Sequence, residues 1–455
     1  MARTSSDTDI RAALDSSQAA AQWLKSVPIA VERSSQLARL SREELRRLGE
    51  TLDADGAVEL FESVDDDLAG RSLDAMAPTD AARLLDALDT DHAADVLREI
   101  KNAFREEVLS AMPPERAIAL RGLLTWPEDS VAAHMIPEAL TVRPGMTVAE
   151  AVAVLRTDAT TLRSDSRSGA YVYVTDPDLH LLGVIAFRDL VLADAGQTVS
   201  PLMNEDILSV SPLTDQEDAA LALMDYNLVA VPVVDSDGRL LGILTENTAG
   251  DIAEEEATED AERQGGSEPL EVPYLRASPW LLWRKRIGWL LLLFVAEAYT
   301  GTVLRAFEDE MEAVVALAFF IPLLIGTGGN TGTQITTTLV RAMATGQVRL
   351  RDVPAVLAKE LSTGVLIALT MATAAIIRAW TLGVGAEVTL TVSLTVGAIV
   401  LWSAFVASIL PPVLKKLRID PAVVSAPLIA TIVDGTGLMI YFWIAHLTLS
   451  QLQGL

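Results

Sequence analysis

The chain has 455 residues, with 62 acidic side chains against 35 basic ones, a formal net charge of −27 and no cysteine. Without cysteine there are no disulfides and no thiolate metal sites, and so acidic a surface repels nucleic acid while concentrating cations. The charge is unevenly placed: residues 1–270 hold 51 Asp and Glu against 22 Lys and Arg, whereas 271–455 hold 11 against 13. An asymmetry of this kind marks separate partners for separate parts of a chain, although an acidic surface also serves solubility alone. The first residues lack the basic, apolar, small-residue order of a cleavable signal, so the acidic half is expected in the cytosol.

Residues 1–130 read as an acidic helical domain with an internal repeat. LDADGAVELF…AMAPTDAARLL from Leu52 returns from Leu88 as LDTDHAADVL…AMPPERAIAL, matching Leu52 with Leu88, Asp53 with Asp89 and Pro78 with Pro114. Asp or Pro before apolar positions of helical period predicts stacked helix pairs in a small superhelix.

A second repeat follows in 131–200 and 201–252. Each copy predicts a short strand, a helix, an apolar strand, a turn (Asp176-Pro177 or Asp237-Gly238), a second strand and a last helix. This order resembles a tandem pair of α/β cystathionine-β-synthase (CBS) domains. Asp189 and Thr245 sit where such domains often touch ribose or phosphate, which implies ATP or a related nucleotide as a ligand; Ala186 replaces the usual hydroxyl residue in the first copy. The acidic run within 253–275 has helix-forming composition and should end at Gly265-Gly266 and Pro269.

Residues 276–455 hold five apolar segments, 284–305, 313–343, 354–380, 388–414 and 422–449, each near or above the length of about 20 residues that spans a bilayer. Arg284-Lys285-Arg286, the group Arg341, Arg349, Arg351 and Lys359, and the group Lys415, Lys416 and Arg418 all fall on one side, which basic loops assign to the cytosol. The C-terminus is then external, and the fold class is a multidomain α-helical membrane protein with five spans in the inner (plasma) membrane, surrounded by lipid.

Two stretches put polar groups at membrane depth. The second span is expected to be interrupted by Gly326-Thr327-Gly328-Gly329-Asn330-Thr331-Gly332-Thr333-Gln334, with Asn and Thr oxygens available to an ion; a small-residue packing seam is the other meaning. No Gly-Lys-Ser/Thr follows, so a phosphate loop is not indicated. The last span carries Asp434, between Pro427 and Gly435. A carboxylate there costs roughly 2.5–3.5 kcal/mol at a helix centre, which points to a polar cavity rather than lipid. A single Asp cannot neutralise a divalent ion; a homodimer would supply two. Magnesium keeps several of its waters when bound, so such a site would hold a hydrated ion. An ion pair of Asp434 with Arg378 is the alternative. Glu297, in the first span, has no assigned place. Four scattered histidines and no nucleophile–base pair argue against an enzyme.

The strings GTGGNTGTQ, RIDPAVVSAP and VDGTG, behind an acidic helical domain, a CBS pair and EEEATED, resemble the MgtE family of magnesium channels over nearly the whole chain from about residue 50. The resemblance implies a homodimeric magnesium pathway, gated closed by cytosolic Mg2+ through a connecting "plug" helix. It implies pore positions at Asp434, Asn330, Gly328, Gly329, Thr431 and Asp420. It implies regulatory Mg2+ positions at Asp91, Asp95, Asp215, Glu217, Asp251, Glu256, Glu259 and Asp260. Ala426 stands where the family has a pore asparagine, Asn227 where it has an aspartate, and Asn247-Thr248 where it has two acids. An ion-coupled exchanger and a membrane-anchored nucleotide sensor are the competing readings.

Overall fold

Short helices with acidic or proline starts build the amino-terminal part of the molecule, in a computed structural model that describes residues 9–158, 170–270, 272–423 and 426–452. Glu271 of the acidic connector and Val424 and Ser425 of the RIDPAVVSAP string lie outside the described residues. Two compact units divide at Glu254/Glu255.

Among the described residues the first unit opens with nine short helices, α1 to α9: Ser17–Ser26, Ala30–Leu37, Arg42–Thr51, Ala54–Phe61, Asp66–Leu73, Pro78–Ala87, Thr90–Glu99, Asn102–Ala111 and Pro114–Leu123. Asp53 and Asp65 cap α4 and α5 by accepting from the amides of Gly56 and Leu68, and Pro78 and Pro114 open α6 and α9. The sequence repeat maps α4–α6 onto α7–α9, so its unit is three short helices rather than the expected pair. Helices of two or three turns are marginal alone. Here each packs on the helix two places further on, α4 on α6, α5 on α7, α6 on α8 and α7 on α9. Leu60, Phe61, Leu84, Leu85, Val96 and Leu97 are fully buried in the core that results.

The CBS pair follows. In the first copy β1 (Thr141–Val142) runs parallel to β2 (Tyr171–Thr175), which pairs antiparallel with β3 (Leu181–Ala186), flanked by α10 (Val148–Asp158) and α11 (Phe187–Leu192). In the second, α12 (Gln216–Asp225) precedes the antiparallel pair β4 (Ala230–Val234) and β5 (Leu240–Thr245). Its opening strand is reduced to one parallel bridge, Val210 to Val233. The next helix, α13, runs unbroken over Glu246–Gln264. It joins the last CBS helix to the acidic run, because no proline interrupts the segment, and it stops where Gly266 turns to φ 76°.

In the second unit six helices are described: α14 (Pro279–Ala306), α15 (Glu308–Ala313), α16 (Ile321–Ala344), α17 (Val353–Leu382), α18 (Ala386–Lys416) and α19 (Ala426–Thr448). All but α15 are long and apolar enough to cross a membrane, α16 being led in by a 3-10 turn from Val315. The glycine-rich stretch does not break its span: α16 is continuous. A glycine in mid-helix costs about 0.5–1 kcal/mol against alanine, and close helix approach offsets it. A Cβ on Gly328 would lie 2.6 Å from Val433 of α19 and 2.7 Å from Ile399 of α18; one on Gly332 would lie 2.4 Å from Ile429. Around this three-helix centre, α14 packs on α19 and α17 on α18. The buried positions of α17 are Gly364, Ala368, Ala375 and Ala379, a small-residue seam of the kind that joins membrane helices. On its outer surface Ser362, Thr363, Thr370 and Thr373 each donate to a carbonyl one turn back.

Candidate functional site

Three polar places emerge, one in the spans, one at α13 and the start of α19, and one in the first unit. Asp434 sits half-buried on α19, and its Oδ1 is buried with no hydrogen-bond partner. No ion pair with Arg378 forms, so that alternative is not realised. Gly329 brings the α16 backbone beside the carboxylate, since a Cβ there would stand 3.9 Å from Oδ1 and 3.2 Å from Ala430. Gly328 faces the other way: its carbonyl accepts from Ser403 Oγ at 2.7 Å in a buried contact, so it fixes α16 to α18. Thr431 donates to the Pro427 carbonyl, leaving only its lone pairs for an ion. Trp402 Nε1 donates to Thr436 Oγ1 at 2.8 Å and locks α18 to α19 two residues beyond Asp434.

Asn330 is exposed, and it is not alone. Gly326, Asn330, Gln334, Thr337 and Arg341 are all exposed, and spacings of three and four residues put them on one face of α16. A polar stripe on the outer surface of a membrane-length helix does not suit lipid.

At the start of α19, Asp420 Oδ1 accepts from the Ala422 amide at 2.8 Å, and its Oδ2 pairs with Arg263 Nη1 at 2.7 Å. Arg263 also meets Glu259 at 2.6 Å. The sequence reading missed Arg263; its signal was the i,i+4 spacing from Glu259 in an otherwise acidic run. Burial and the negative charges of Asp420 and Glu256 hold the Asp260 carboxyl above its ordinary range, against the opposing effect of Arg263 and Arg341. A surplus of negative charge therefore remains beside the arginine, which suits a further cation.

In the first unit, Asp91 is buried on α7, and burial pushes its carboxyl up to about 6. Thr248 donates to its Oδ2 at 2.8 Å, while Oδ1 is buried and unpartnered. Thr248, one of the departures from the family pattern, thus holds Asp91 by a hydroxyl where an acid would have repelled it. Asp95 is paired with Arg98 and with His134 Nδ1 at 3.3 Å. Asp251 of α13 lies within reach of the charges on His92, Asp66 and Asp95, and burial raises its carboxyl. Asp91, Asp95 and Asp251 therefore share one neighbourhood, in which Asp91 Oδ1 is a buried oxygen without a hydrogen-bond partner. Asp215 caps α12 by accepting from the Glu217 amide at 2.9 Å, and Glu256 lies on α13 beside Asp260. Of the nucleotide positions, Asp189 is exposed beside Arg188 and Thr245 is buried. With the Thr248 proton given to Asp91, Thr245 Oγ1 donates to Thr248 Oγ1 at 2.9 Å.

Family comparisons partition the chain as the fold does. The family described as MgtE, divalent cation transporter, matches residues 321–444; the MgtE intracellular N domain matches 30–129; CBS domains match 130–196 and 199–248. The magnesium transporter MgtE of Thermus thermophilus is 38% identical over 347 residues, covering 76% of each chain. That of Bacillus subtilis is 31% identical over 74% of this chain and 73% of its own. A solved structure of the soluble part of a magnesium transporter, 28% identical, covers 55% of this chain and all of its own at a TM-score of 0.39. With a transporter match that contains Asp434 and its glycine-rich partner helix, and relatives above 30% identity over about three quarters of their own length, the chain belongs to the MgtE family.

Proposed function

We propose that this chain is a magnesium transporter in which the ion passes Asp434 along a polar path between two copies of the second unit. The observation that carries the reading is the exposed stripe Gly326, Asn330, Gln334, Thr337 and Arg341 on α16, adjoining a carboxylate whose Oδ1 has no protein partner. A second copy facing the stripe would keep it from lipid and turn it into a wet channel wall. The relatives are transporters rather than enzymes, and the description of the N domain as intracellular agrees with a cytosolic amino terminus; five spans would then leave the C-terminus external in this proposal.

Flow is passive and regulated from the cytosol in this proposal. Asp91, with its open Oδ1, and Asp251 take a divalent ion in the first unit, where Asp95 is contested by Arg98 and His134; Asp215 and Glu217 complete the acidic surface. Glu256, Glu259 and Asp260 take one beside Asp420. Bound ion favours the compact arrangement in proportion to its concentration over its affinity. A nucleotide at Asp189 and Thr245 would meet an exposed carboxylate at Asp189 and, at Thr245, a hydroxyl that donates to Thr248 and offers its lone pairs.

The test is uptake into vesicles that hold the purified full-length chain and a magnesium-sensitive dye. A Mg2+ gradient alone is expected to drive entry. A strict need for a sodium or proton gradient would replace the channel by an exchanger, and no entry under any gradient would overturn transport.

Regulation has its own test in Arg263→Gln. Arg263 bridges α13 to Asp420 without any metal, so its loss should raise the Mg2+ needed for closure. The Glu259 pair lies within α13, so only the Arg263–Asp420 pair counts toward the bridge. A partly exposed ion pair is worth about 0.2–1 kcal/mol, which predicts a shift of about one-and-a-half- to fivefold. The shift is read from flux against internal Mg2+ and from protease cleavage within 250–270, which Mg2+ should suppress. Identical curves for variant and wild type would reject the bridge.

A further inference from the structure

The amino end of α14 carries four donor groups that nothing among the described residues uses. Trp280 and Trp283 stack with ring centroids 4.6 Å apart, and they stand 69% and 50% exposed. Neither indole N–H has a hydrogen-bond partner among the described residues, and the exposed Arg284 and Arg286 make no ion pair or hydrogen bond there. Arg284 lies four residues beyond Trp280 and Arg286 three beyond Trp283, so each guanidinium neighbours one indole on the helix surface. A groove lined by Pro279, Leu282, Trp283, Arg286, Ile287 and Leu290 runs along the same end of the helix. The connector after α13 leaves it open, because that segment meets α14 on another flank: the Glu268 amide donates to the Lys285 carbonyl at 3.0 Å, and a Cβ on Gly266 would stand 2.7 Å from Trp289.

Tryptophan and basic residues are common where a span enters a bilayer. The other basic groups expected on this side of the membrane lack the combination. Arg349, Arg351, Lys359, Lys415 and Lys416 have no aromatic residue within four positions, and Arg351 is already engaged with Asp352. The chain enters the membrane at α14 for the first time, after an N domain described as intracellular, so the groove meets the cytosolic leaflet and its anionic lipids. A lipid phosphate accepts hydrogen bonds from guanidinium and indole N–H groups and gives up none, which matches four unused donors. Two arginines repel the ammonium of a zwitterionic headgroup, so the lipid that fits carries a net negative charge. A second copy presenting this same face would set arginine against arginine.

We propose that the amino end of α14 binds one anionic phospholipid of the cytosolic leaflet. Arg284, Arg286 and the two indole N–H groups hold its phosphate, and an acyl chain lies along Leu282, Ile287 and Leu290. The site stands apart from the ion path and does not rest on it.

The test titrates the full-length chain in detergent with phosphatidylglycerol and, in parallel, with phosphatidylcholine of the same acyl chains, counting bound lipid by native mass spectrometry. Phosphatidylglycerol is expected to fill one saturable site per subunit, on the order of tenfold more tightly than phosphatidylcholine. R284Q and R286Q should each weaken it by about fivefold, the worth of one basic residue at an anionic surface, and leave phosphatidylcholine unchanged. K415Q combined with K416Q should leave both lipids unchanged. Equal affinity of the two lipids for the wild type would overturn the site, as would wild-type affinity for phosphatidylglycerol in R284Q combined with R286Q. Equal losses in the arginine and lysine pairs would also overturn it, since diffuse attraction to a basic surface would then explain the binding. Absence of any saturable phosphatidylglycerol would mean that another copy covers the groove, and the proposal fails. If the arginine pair does not assemble, W280L combined with W283L decides, and wild-type affinity in it overturns the proposal.

Discussion

Asp434→Ala and Asp434→Asn are expected to leave a magnesium-uptake-deficient host unrescued, while the purified variants melt no lower than the parent. The two halves of this expectation have different causes. Transport falls because the ion loses a charge at membrane depth. Two unit charges about 4 Å apart interact by about 4 kcal/mol at the effective dielectric of a partly wet site. A hydrated ion stands further off, so the loss should be on the order of a hundredfold in flux at limiting Mg2+. Stability is spared because Oδ1 holds no protein partner and Arg378 makes no ion pair with it. Removing a buried polar group that satisfies nothing costs little, and replacing it by an apolar group of similar shape is near neutral. Growth on low magnesium together with the melting temperature in detergent checks both halves. Rescue by the alanine variant would remove Asp434 from the path, and a fall in melting temperature would show that it had been holding helices together.

Gly332→Val is expected to do the reverse and destroy the assembled membrane unit. The new Cβ would stand 2.4 Å from Ile429 Cγ2 and 2.8 Å from Ser403 Oγ, so α16 must retreat from both α18 and α19. Overpacking of a well-filled core costs typically about 1–3 kcal/mol. The retreat also strains the Ser403–Gly328 bond, of a kind worth about 0.6 kcal/mol on average in a membrane protein. Gly332→Ala meets the same atoms and should be milder only in degree. Gly301→Ala is the control, because nothing lies within 4 Å of its Cβ position. Yield of monodisperse protein in detergent is the measurement. A well-assembled Gly332→Val protein would mean that the α16 seam is looser than these distances say.

These two variants also mark what could be read from the residues beforehand. The five spans, the CBS order and the 36-residue offset from Leu52 to Leu88 were visible because periodicity and length are local properties. The number of helices per repeat was not: Asp65 starts a helix as plainly as Asp53 does, but only packing shows that α4, α5 and α6 are three separate short elements. Gly328 and Gly332 suggested a broken helix, since glycine weakens one in isolation. That Val433, Ile399 and Ile429 press against them is a tertiary fact, and it turns the same residues into a reason for continuity. Asp434 stood out because an acid among apolar residues needs no neighbour to be noticed. Arg263 and Thr248 did not, because a lone arginine or threonine in an acidic run gains meaning only from Asp420 or Asp91, each 157 positions away along the chain.

One consequence concerns the outer surface of α17. A hydropathy average treats Ser362, Thr363, Thr370 and Thr373 as groups that want water. Each has instead given its proton to its own backbone, so the surface turned outward offers methyl and methylene groups where the sequence spells alcohols. The segment is therefore oilier to its surroundings than its spelling suggests. Valine at Thr370 or Thr373 should be accepted there as a near-isosteric change, whereas asparagine, which cannot fold its amide away so fully, should not.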